Sequence, residues 1–326
     1  MLIVLRVAVV GYLVSLAAAL VLLYPLGDRF WLSTLLLVGP RFVLGLPLPL
    51  LALAALARDR RLLWALGLAG LVLLGPILGF EMPLRIPVRP ASSPQDIRVL
   101  TWNVGGGRLT VEELRSVLEE HLPTITVLQE CGSPVLTPPA SAEWNEVHES
   151  GLCLLSRFPV RRVAARSQDD VWQMSGSGAI VRYELRSPQG PLHLTNVHLE
   201  TPREGIEAVM HGLWRGIPEL DAKNGQRDFE AGLARRWVDA SPGPSRLVAG
   251  DFNMTVESAV FREHWSGYED AFSSAGLGFG FTKRTRKFGT RIDHILLGPG
   301  WVCLRAWVGA HGHDHFPVLA DLRWVG

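Results

Sequence analysis

The sequence predicts an α/β domain preceded by an N-terminal region of transmembrane helices. Two observations support this fold class: residues 1–80 contain long uncharged runs, and residues 96–326 alternate β-rich runs with helical patterns. The chain of 326 residues is 48% hydrophobic and 19% charged, which excludes a disordered chain, a coiled coil and a collagen-like chain. We therefore expect helices over 1–80, a proline-rich tether over 81–95, and an α/β domain over 96–326.

About three membrane spans are predicted in the first 80 residues. Residues 7–26 and 62–80 carry no charge, and both runs are long enough to cross a hydrocarbon core of about 30 Å. A further span over 38–57 is apolar except for Arg41, whose long side chain is expected to reach the membrane interface. Pro40, Pro47 and Pro49 interrupt this region, so two short passes or a re-entrant pair are the alternatives to one span.

The loop between the last two predicted spans indicates their orientation. It contains Arg58, Arg60 and Arg61, and such clusters mark the cytoplasmic side of a membrane. Three spans make the chain an integral protein of the plasma membrane with everything after Phe80 outside the cytoplasm. Four spans place the α/β domain inside. The segment 81–95 contains four prolines and is expected to be an extended, semi-rigid tether.

The charge balance argues against one class of function, and the cysteine positions predict the state of the thiols. Residues 1–90 contain eight arginines and three acids, which leaves 24 basic and 28 acidic residues in 91–326. This mildly acidic balance argues against binding to DNA by charge alone. Cys131, Cys153 and Cys303 each lie in an apolar run, so we expect buried free thiols.

The elements of the α/β domain follow from local patterns. Strands are predicted over 97–103, 125–129, 152–156, 178–185, 192–198, 246–249, 291–297, 302–308 and 317–323. Helices are predicted over 110–121, 204–215 and 228–239. Thr110 and Glu113 form a capping box at the start of the first of these helices. About 230 residues of this kind make an α/β domain with more than one sheet.

Six strand ends carry side chains suited to metal binding or acid–base chemistry, and strand ends converge in layered α/β folds. The six blocks are Thr101-Trp102-Asn103, Leu128-Gln129-Glu130, Thr195-Asn196-Val197-His198, Gly250-Asp251-Phe252-Asn253, Arg291-Ile292-Asp293-His294 and His313-Asp314-His315. Together they supply carboxylates, amides and imidazoles, a donor set that suits Mg²⁺ or Mn²⁺ and a phosphate ester. No cysteine–histidine spacing typical of structural zinc is present in the sequence.

In these blocks the chain resembles the endonuclease/exonuclease/phosphatase superfamily, which has the DNase-I-like fold. The run from Gly151 to Pro159 also resembles the family's Gly-x-x-x-Leu-Ser-Arg-x-Pro strand-turn, and the matching blocks extend from 99 to 318. The resemblance implies a four-layered α/β sandwich of two packed sheets flanked by helices. It also implies a catalytic domain that hydrolyses phosphoesters with a divalent metal, here in a membrane-anchored member of bacterial type.

The resemblance implies a metal site, and the sequence departs from the family pattern in one block. Glu130 would be the principal ligand of Mg²⁺ or Mn²⁺, with Asn103 and Asp314 close to it. The last block usually begins Ser-Asp-His, whereas here it reads His313-Asp314-His315. We expect His313 to be an exposed histidine outside the site.

Five further residues receive catalytic roles from the resemblance. Asp251 and Asn253 would orient the nucleophilic water or the phosphate. His198 would contact a phosphate oxygen or serve the leaving group. Asp293 would hold His315 in one tautomer and stabilise its cation, because a buried carboxylate raises imidazole basicity. His294 is expected on the opposite face of its strand, outside the chemistry.

Two hypotheses about the enzyme's substrate remain from the sequence. A basic loop, Lys283-Arg284-Thr285-Arg286-Lys287, is interpreted as a rim that guides an anionic substrate. One hypothesis is a membrane-anchored phosphoesterase acting on a lipid head group or a nucleotide-like ester, and the other is a nuclease acting on DNA or RNA. A non-catalytic binding domain is a third reading, and no protein partner is implied. Trp172 and Trp214 are candidate lipid contacts, although isolated tryptophans usually belong to the core.

Overall fold

The computed structural model describes residues 2–83, 96–105, 109–132, 144–174, 176–285 and 288–326. Two six-stranded sheets pack face to face, and helices cover their outer faces. This is the four-layered sandwich that the family resemblance implies. The apolar helices of the first 80 residues form a separate bundle at one end.

The strands of the described part of the chain form two large sheets and one small one. In chain order they are β1 (Ile97–Asn103), β2 (Ile125–Gln129), β3 (Asn145–Glu149), β4 (Leu152–Ser156), β5 (Val160–Arg166), β6 (Ala179–Ser187), β7 (Gly190–His198), β8 (Arg246–Asp251), β9 (Glu269–Asp270), β10 (Lys283–Arg284), β11 (Gly289–Thr290), β12 (Asp293–Leu297), β13 (Trp301–Val308) and β14 (Val318–Trp324). The first sheet has the order β13-β14-β1-β2-β4-β3, the second has the order β5-β6-β7-β8-β12-β9, and β10 and β11 form a separate hairpin.

The helices fall into two groups, one before and one within the α/β domain. The first group is α1 (Leu2–Val21), α2 (Trp31–Val38), α3 (Pro47–Arg58) and α4 (Leu62–Val72). The second is α5 (Val111–His121), α6 (Gln168–Gln173), α7 (Arg203–Gly212), α8 (Ile217–Asp239), α9 (Ala259–Trp265) and α10 (Ala271–Ala275). Turns of π-helix extend α1 to Leu26 and α4 to Ile77.

The main core lies between the two sheets. Alternate residues of each strand point inward, so β-branched and leucine side chains from both sheets interdigitate. The contributing residues include Val99, Val127 and Leu154 of the first sheet and Val181, Leu194, Leu247 and Ile295 of the second. Burial on both faces explains why several strands read as continuous apolar runs in the sequence.

Helices on the outer faces complete the sandwich. The predicted capping box at the start of α5 is present, since Thr110 Oγ1 accepts from the Glu113 amide and Glu113 Oε2 accepts from the Thr110 amide. Helix α8 begins at Ile217, well before the predicted start at 228, and Pro218 lies in its first turn. The prediction was wrong there because the segment 217–227 is mostly polar and lacks an apolar period.

Two helical segments are long and apolar enough to cross a membrane, Leu2–Arg29 and Arg41–Arg58, while the apolar segment Leu62–Ile77 is shorter. Core helices of soluble proteins and signal sequences can have the same length and composition. Much of the outer surface of this bundle is apolar, however. Its exposed side chains include Val4, Val7, Val10, Val14, Leu50, Leu53, Trp64, Leu68 and Leu71.

One end of the bundle is docked on the α/β domain. Helix α2 lies against α8, where Asn224 Nδ2 donates a hydrogen bond to Thr34 Oγ1 at 2.9 Å. At the opposite end, Arg6 Nη2 lies 2.8 Å from Asp59 Oδ2, which places the start of α1 beside the loop between α3 and α4. The chain therefore runs along the bundle in α1, α3 and α4, and α2 stays on the side of the domain.

Arg41 connects the helical region to the α/β domain. Its guanidinium lies 3.2 Å from the Glu257 carboxylate of the α/β domain and donates to the carbonyls of Leu37 and Ile77. The placement of Arg41 near a membrane interface stays a prediction, whereas its partners come from distant parts of the chain and were not predicted. Glu81, the first residue of the predicted tether, pairs with Gly278 by two backbone hydrogen bonds, and residues 84–95 lie outside the described part.

The expectation of three free thiols was also wrong. Cys131 and Cys153 form a disulfide with a Cα–Cα distance of 6.1 Å, whereas Cys303 is free and buried. Cys131 follows β2, and Cys153 lies within β4, which is paired with β2. Strand pairing brings them together although 22 positions separate them in the sequence.

Candidate active site

Three side chains form a row across adjacent strands of the second sheet. Asp251 at the end of β8 is in register with His198 at the end of parallel β7 and with Asp293 at the start of antiparallel β12. Strands β7 and β8 approach closely beside this row: a Cβ added at Gly250 would lie only 1.9 Å from the Val197 carbonyl oxygen. Glycine at this position therefore sets the spacing of β7 and β8.

His315 lies just before β14 and faces this row. Its Nδ1 is 3.0 Å from Asp293 Oδ2, and its Nε2 is 3.7 Å from Asp251 Oδ2. All three side chains are nearly fully buried. Burial disfavours the charged imidazolium, but the carboxylates of Asp293 and Asp251 outweigh this effect and raise the pKa of His315 to about 9.

The first sheet contributes a second group of polar side chains. Asn103 Nδ2, at the end of β1, donates to Glu130 Oε1 and to Asp251 Oδ2, both at 3.0 Å. Glu130 follows β2 with a left-handed φ of 53°, a conformation that is uncommon for glutamate and often marks functional sites. Its side chain is 41% exposed, and Oε1 lies 3.7 Å from His198 Nε2. The two sheets thus meet through one amide that bridges two carboxylates.

The donor set at this junction fits a divalent metal. Glu130 and Asp251 offer carboxylate oxygens, which are ligands of Mg²⁺ and Mn²⁺. Asn103 turns its Nδ2 toward these two carboxylates, while its Oδ1 accepts a hydrogen bond from the Gly105 amide at 3.0 Å. Burial and the nearby Asp293 charge raise the pKa of Asp251, so a cation beside this carboxylate would relieve an unfavourable interaction. Asp251, Asp293 and His315 also form a cluster with ligand atoms within 4.8 Å of one another.

Asp314, a predicted metal ligand, contacts Lys283 of the predicted basic loop. Asp314 Oδ2 pairs with Lys283 Nζ at 2.9 Å, and the same Nζ lies 2.8 Å from His315 Nε2. Lys283 therefore directly contacts His315 of the Asp293–His315 pair, which is called the dyad below. Arg284 lies over the Phe316 ring at 4.1 Å, and Arg286 and Lys287 lie outside the described residues.

Asn253 supports the loop that follows β8. Its amide N–H donates to Asp251 Oδ1 at 2.9 Å, and its Nδ2 donates to the Leu199 carbonyl at 2.8 Å. Its φ of 51° is also left-handed. Glu130, His198 and Asn253 line a cleft of about 340 Å³ that extends toward Gln168 and Thr201.

Residues 100–323 match the family model described as "Endonuclease/Exonuclease/phosphatase family". The chain belongs to this family. No curated protein sequence matches it.

Solved structures share the fold of this family member. The 3′ phosphatase NExo from Neisseria, bound to product DNA hairpin, is 17% identical with a TM-score of 0.52, over 70% of this chain and 100% of that one. Truncated TDP2 from Caenorhabditis elegans is 20% identical with a TM-score of 0.51, over 70% and 98%. An endonuclease/exonuclease/phosphatase from Beutenbergia cavernae is 14% identical with a TM-score of 0.50, over 71% and 72%.

The sequence analysis assigned no role to three residues that support the site, namely Gln129, Asn196 and Glu230. Gln129 Nε2 donates to Asn196 Oδ1 at 2.7 Å and so connects the two sheets beneath the metal-ligand candidates. Glu230 of α8 is buried and accepts hydrogen bonds from the backbone of Gly178 and Glu200, which border the cleft. Both contacts join residues far apart in sequence, and a polar residue in a helix or strand gives no local signal of such a partner.

Other expectations about the site were confirmed. His294 points away from the dyad, with Nδ1 2.9 Å from Asp270 Oδ2 and Nε2 2.8 Å from the Met254 carbonyl. His313 is exposed and lies 3.5 Å from Glu113.

The expectation that isolated tryptophans are buried was wrong, since Trp172 is 69% and Trp214 is 73% exposed.

Proposed function

We propose that the chain is a membrane-anchored, divalent-metal-dependent phosphoesterase that hydrolyses phosphoesters presented at the membrane surface. The observation that carries this proposal is the junction of the two sheets. There Asn103 joins Glu130 to Asp251, and Asp293 orients His315, whose Nε2 lies 3.7 Å from the same Asp251 carboxylate. In a member of the endonuclease/exonuclease/phosphatase family, this combination suits attack of water on a phosphoryl group.

The proposed roles follow from charge and position. Glu130 and Asp251 would hold a metal ion, which when bound neutralises phosphate charge and polarises the phosphoryl oxygen. Asn103 would join them as a ligand with its amide turned, so that Oδ1 takes the place of Nδ2. Asp293 fixes the Nδ1 proton of His315, so Nε2 faces Asp251. With Nε2 protonated and Lys283 Nζ displaced from its contact with it, because two donors cannot share a hydrogen bond, His315 would stabilise negative charge that grows in the transition state.

The remaining side chains bind and orient the ester. His198 contacts a phosphate oxygen or the leaving group, and Asn253 orients the phosphate or the attacking water. Lys283 pairs with Asp314 and adds positive charge next to His315. Arg284 would help guide an anionic substrate, while the predicted contributions of Arg286 and Lys287 concern residues outside the described part.

The geometry of the N-terminal helices supports three membrane crossings. Their outward side chains are apolar and exposed, whereas the core helices of a soluble protein bury such residues. The Arg6–Asp59 contact places the N-terminus and the arginine-rich loop at one end, and the α/β domain lies at the other. The positive-inside rule then puts the domain outside the cytoplasm. The Cys131–Cys153 disulfide supports this, because disulfides persist in oxidising compartments.

An exposed aromatic surface favours a lipid phosphoester as the substrate. Trp214 packs edge-on against Trp31 at 5.7 Å, so this surface of the α/β domain is continuous with the segment that follows α1. Met210 and Leu213 beside it are 71% and 67% exposed. Tryptophan, methionine and leucine side chains in such a position suit the boundary between head groups and acyl chains.

A nuclease is the second candidate function. The structures of TDP2 complexed with single-strand DNA product and of NExo bound to product DNA hairpin share this fold. The Lys283 side chain beside His315 and the neighbouring Arg284 are compatible with a nucleic-acid backbone. The acidic balance of residues 91–326 and the membrane helices weigh against this alternative.

A paired assay of the full chain in liposomes tests the proposal. We expect Mg²⁺-dependent release of phosphorylated head groups from the vesicle lipids, no cleavage of plasmid DNA, and no release in excess EDTA. Plasmid cleavage without head-group release would support the nuclease. Absence of both activities, with Mg²⁺ and with Mn²⁺, would refute the phosphoesterase proposal.

A further inference from the structure

We propose that Asp28, in the loop between the first two helices, is a positioning residue for the active site and acts through Arg227 on the loop 251–254. The inference rests on the proposed function in one respect, namely that this loop serves phosphoester hydrolysis. It makes the membrane region part of the catalytic apparatus in addition to an anchor.

Asp28 is inserted into the α/β domain. The residue is 1% exposed, although it belongs to the helical region of the first 80 residues. Its carboxylate accepts hydrogen bonds from Ser258 Oγ at 2.6 Å, the Val260 amide at 3.2 Å and Arg227 Nη1 at 3.3 Å. A carboxylate that is buried with three donors is held in one position.

Arg227 transmits that position to the active-site loop. It lies in α8, is 2% exposed, and donates from Nη2 to the Asn253 carbonyl oxygen at 2.8 Å. One planar guanidinium therefore contacts Asp28 with one nitrogen and the catalytic loop with the other. Arg227 Nη1 also donates to Asn224 Oδ1 at 3.2 Å, but the ion pair with Asp28 is the contact that compensates the buried charge most directly. We therefore expect removal of the Asp28 charge to loosen the orientation of the guanidinium.

Asn253 completes the connection. Its backbone amide donates to Asp251 Oδ1, and its side chain donates to the Leu199 carbonyl next to His198. The left-handed φ of 51° makes the loop dependent on such contacts. Displacing the Asn253 carbonyl changes the peptide geometry at this residue and hence the orientation of the Asp251 carboxylate.

Another contact at the same junction provides a matched control. Arg29, the neighbour of Asp28, pairs with Glu263 of α9. Both side chains are about half exposed, at 61% and 49%, and their contact does not involve the loop 251–254. Loss of this pair removes a link between the helical region and the domain without touching the site.

The test compares Asp28→Asn with Glu263→Gln in the full chain, reconstituted in liposomes. Two measurements are made: hydrogen–deuterium exchange of the segment 251–255 and steady-state hydrolysis of bis(p-nitrophenyl) phosphate with Mg²⁺. For Asp28→Asn we expect faster exchange in this segment and a kcat lower by about a hundredfold with little change in KM, the scale of a small misplacement of catalytic groups. Glu263→Gln is expected to match the wild type in both measurements.

A second variant keeps the inference testable if Asp28→Asn does not fold. Arg227→Lys retains a charge opposite Asp28, but one ammonium cannot take the place of both guanidinium nitrogens. We expect a folded protein with faster exchange at 251–255 and a partial loss of kcat. A folded Asp28→Asn or Arg227→Lys with wild-type exchange would overturn the inference, as would equal changes in Glu263→Gln.

The exchange measurement separates this inference from the proposed function. If the wild type hydrolyses no phosphoester but Asp28→Asn accelerates exchange at 251–255, the phosphoesterase proposal fails and the coupling stands. If the wild type is active and the variants leave both exchange and kcat unchanged, the coupling fails and the proposed function stands.

Discussion

At the scale of single residues, the pairing of Asp293 with His315 has a direct kinetic consequence. The carboxylate lies 3.0 Å from Nδ1 and favours the imidazolium. We expect Asp293→Asn and His315→Ala each to lower kcat strongly, and the double variant to be little worse than the poorer single one, because groups that act as a unit are non-additive. Additive losses, measured as free energies of activation in a double-mutant cycle, would show that the two residues act independently.

The proposed metal site predicts a large effect at Glu130. This carboxylate is open to solvent and shares Asn103 with Asp251. We expect Glu130→Ala to lower turnover by at least about a hundredfold, the scale of removing a major electrostatic stabiliser. Glu119→Ala on the exposed face of α5 is the matched control and should retain full activity. Normal turnover of Glu130→Ala would exclude the assigned role.

Asp270 predicts how stability depends on pH. Burial opposes its ionisation, but the Arg291 guanidinium and His294 outweigh that effect and hold the pKa of Asp270 well below its usual range. A carboxyl with a lowered folded-state pKa stabilises the fold above its unfolded pKa of about 4, and this contribution is lost as pH falls through the folded-state value.

We therefore expect the free energy of unfolding to decrease on acidification below about pH 4, and to do so less steeply in Asp270→Asn. At neutral pH this variant should be less stable by about 3 kcal/mol, since it leaves Arg291 without one of its buried partners. Denaturant unfolding of both proteins between pH 3 and 7 measures the difference, and parallel curves would contradict the assignment.

Local patterns identified the residues at strand ends but not their long-range partners. The ends of β1, β2, β7 and β8 were predictable because apolar runs stop there at polar side chains. The alternation of a strand also placed His294 correctly away from Asp293. The contacts of Lys283 with His315 and of Asp28 with Arg227 join distant segments, and charge in a loop says nothing about such partners.

At the scale of elements, the close approach of β7 and β8 predicts the effect of a single methyl group. A Cβ at Gly250 would collide with the Val197 carbonyl, and Gly250 has a φ of 150° that other residues rarely adopt. We expect Gly250→Ala to destabilise the fold by at least about 2 kcal/mol and to displace Asp251.

Gly225→Ala in α8 is the control for this substitution. A Cβ there meets no atom within 4 Å, so alanine is expected to stabilise the helix by about 0.5–1 kcal/mol. Thermal unfolding of the two variants measures both changes. Equal stability of Gly250→Ala and the wild type would show that the two strands can separate at little cost.

Most elements of the α/β domain were predictable, and the exceptions share a cause. The central strands are continuous apolar runs and the capping box marks α5, so their positions follow from short-range signals. Strands β3 and β5 lie at the sheet edges with several exposed residues, and α8 is largely polar in its first half. These elements are stabilised by packing on neighbours, which the local sequence does not encode.

At the scale of the whole molecule, the proposed three crossings predict the location of the domain. A C-terminal alkaline phosphatase fusion should be active, because that enzyme requires export, and a C-terminal fluorescent-protein fusion exported by the same route should be dark. Fusions after residue 60 should show the opposite pattern, since the arginine-rich loop is expected inside. Reversed results at the C-terminus would indicate an even number of crossings.

The insertion of Asp28 beside Arg227 also has a consequence for biosynthesis. The first loop is synthesised long before α8, and the two must reach the same compartment before their carboxylate and guanidinium can meet. Under the proposed topology, a chain that enters the bilayer with this loop and the α/β domain on opposite faces would leave Arg227 without the Asp28 carboxylate, and the loop 251–254 without this support. Correct insertion would then be a condition for the proposed activity, and wrongly inserted copies would be inactive.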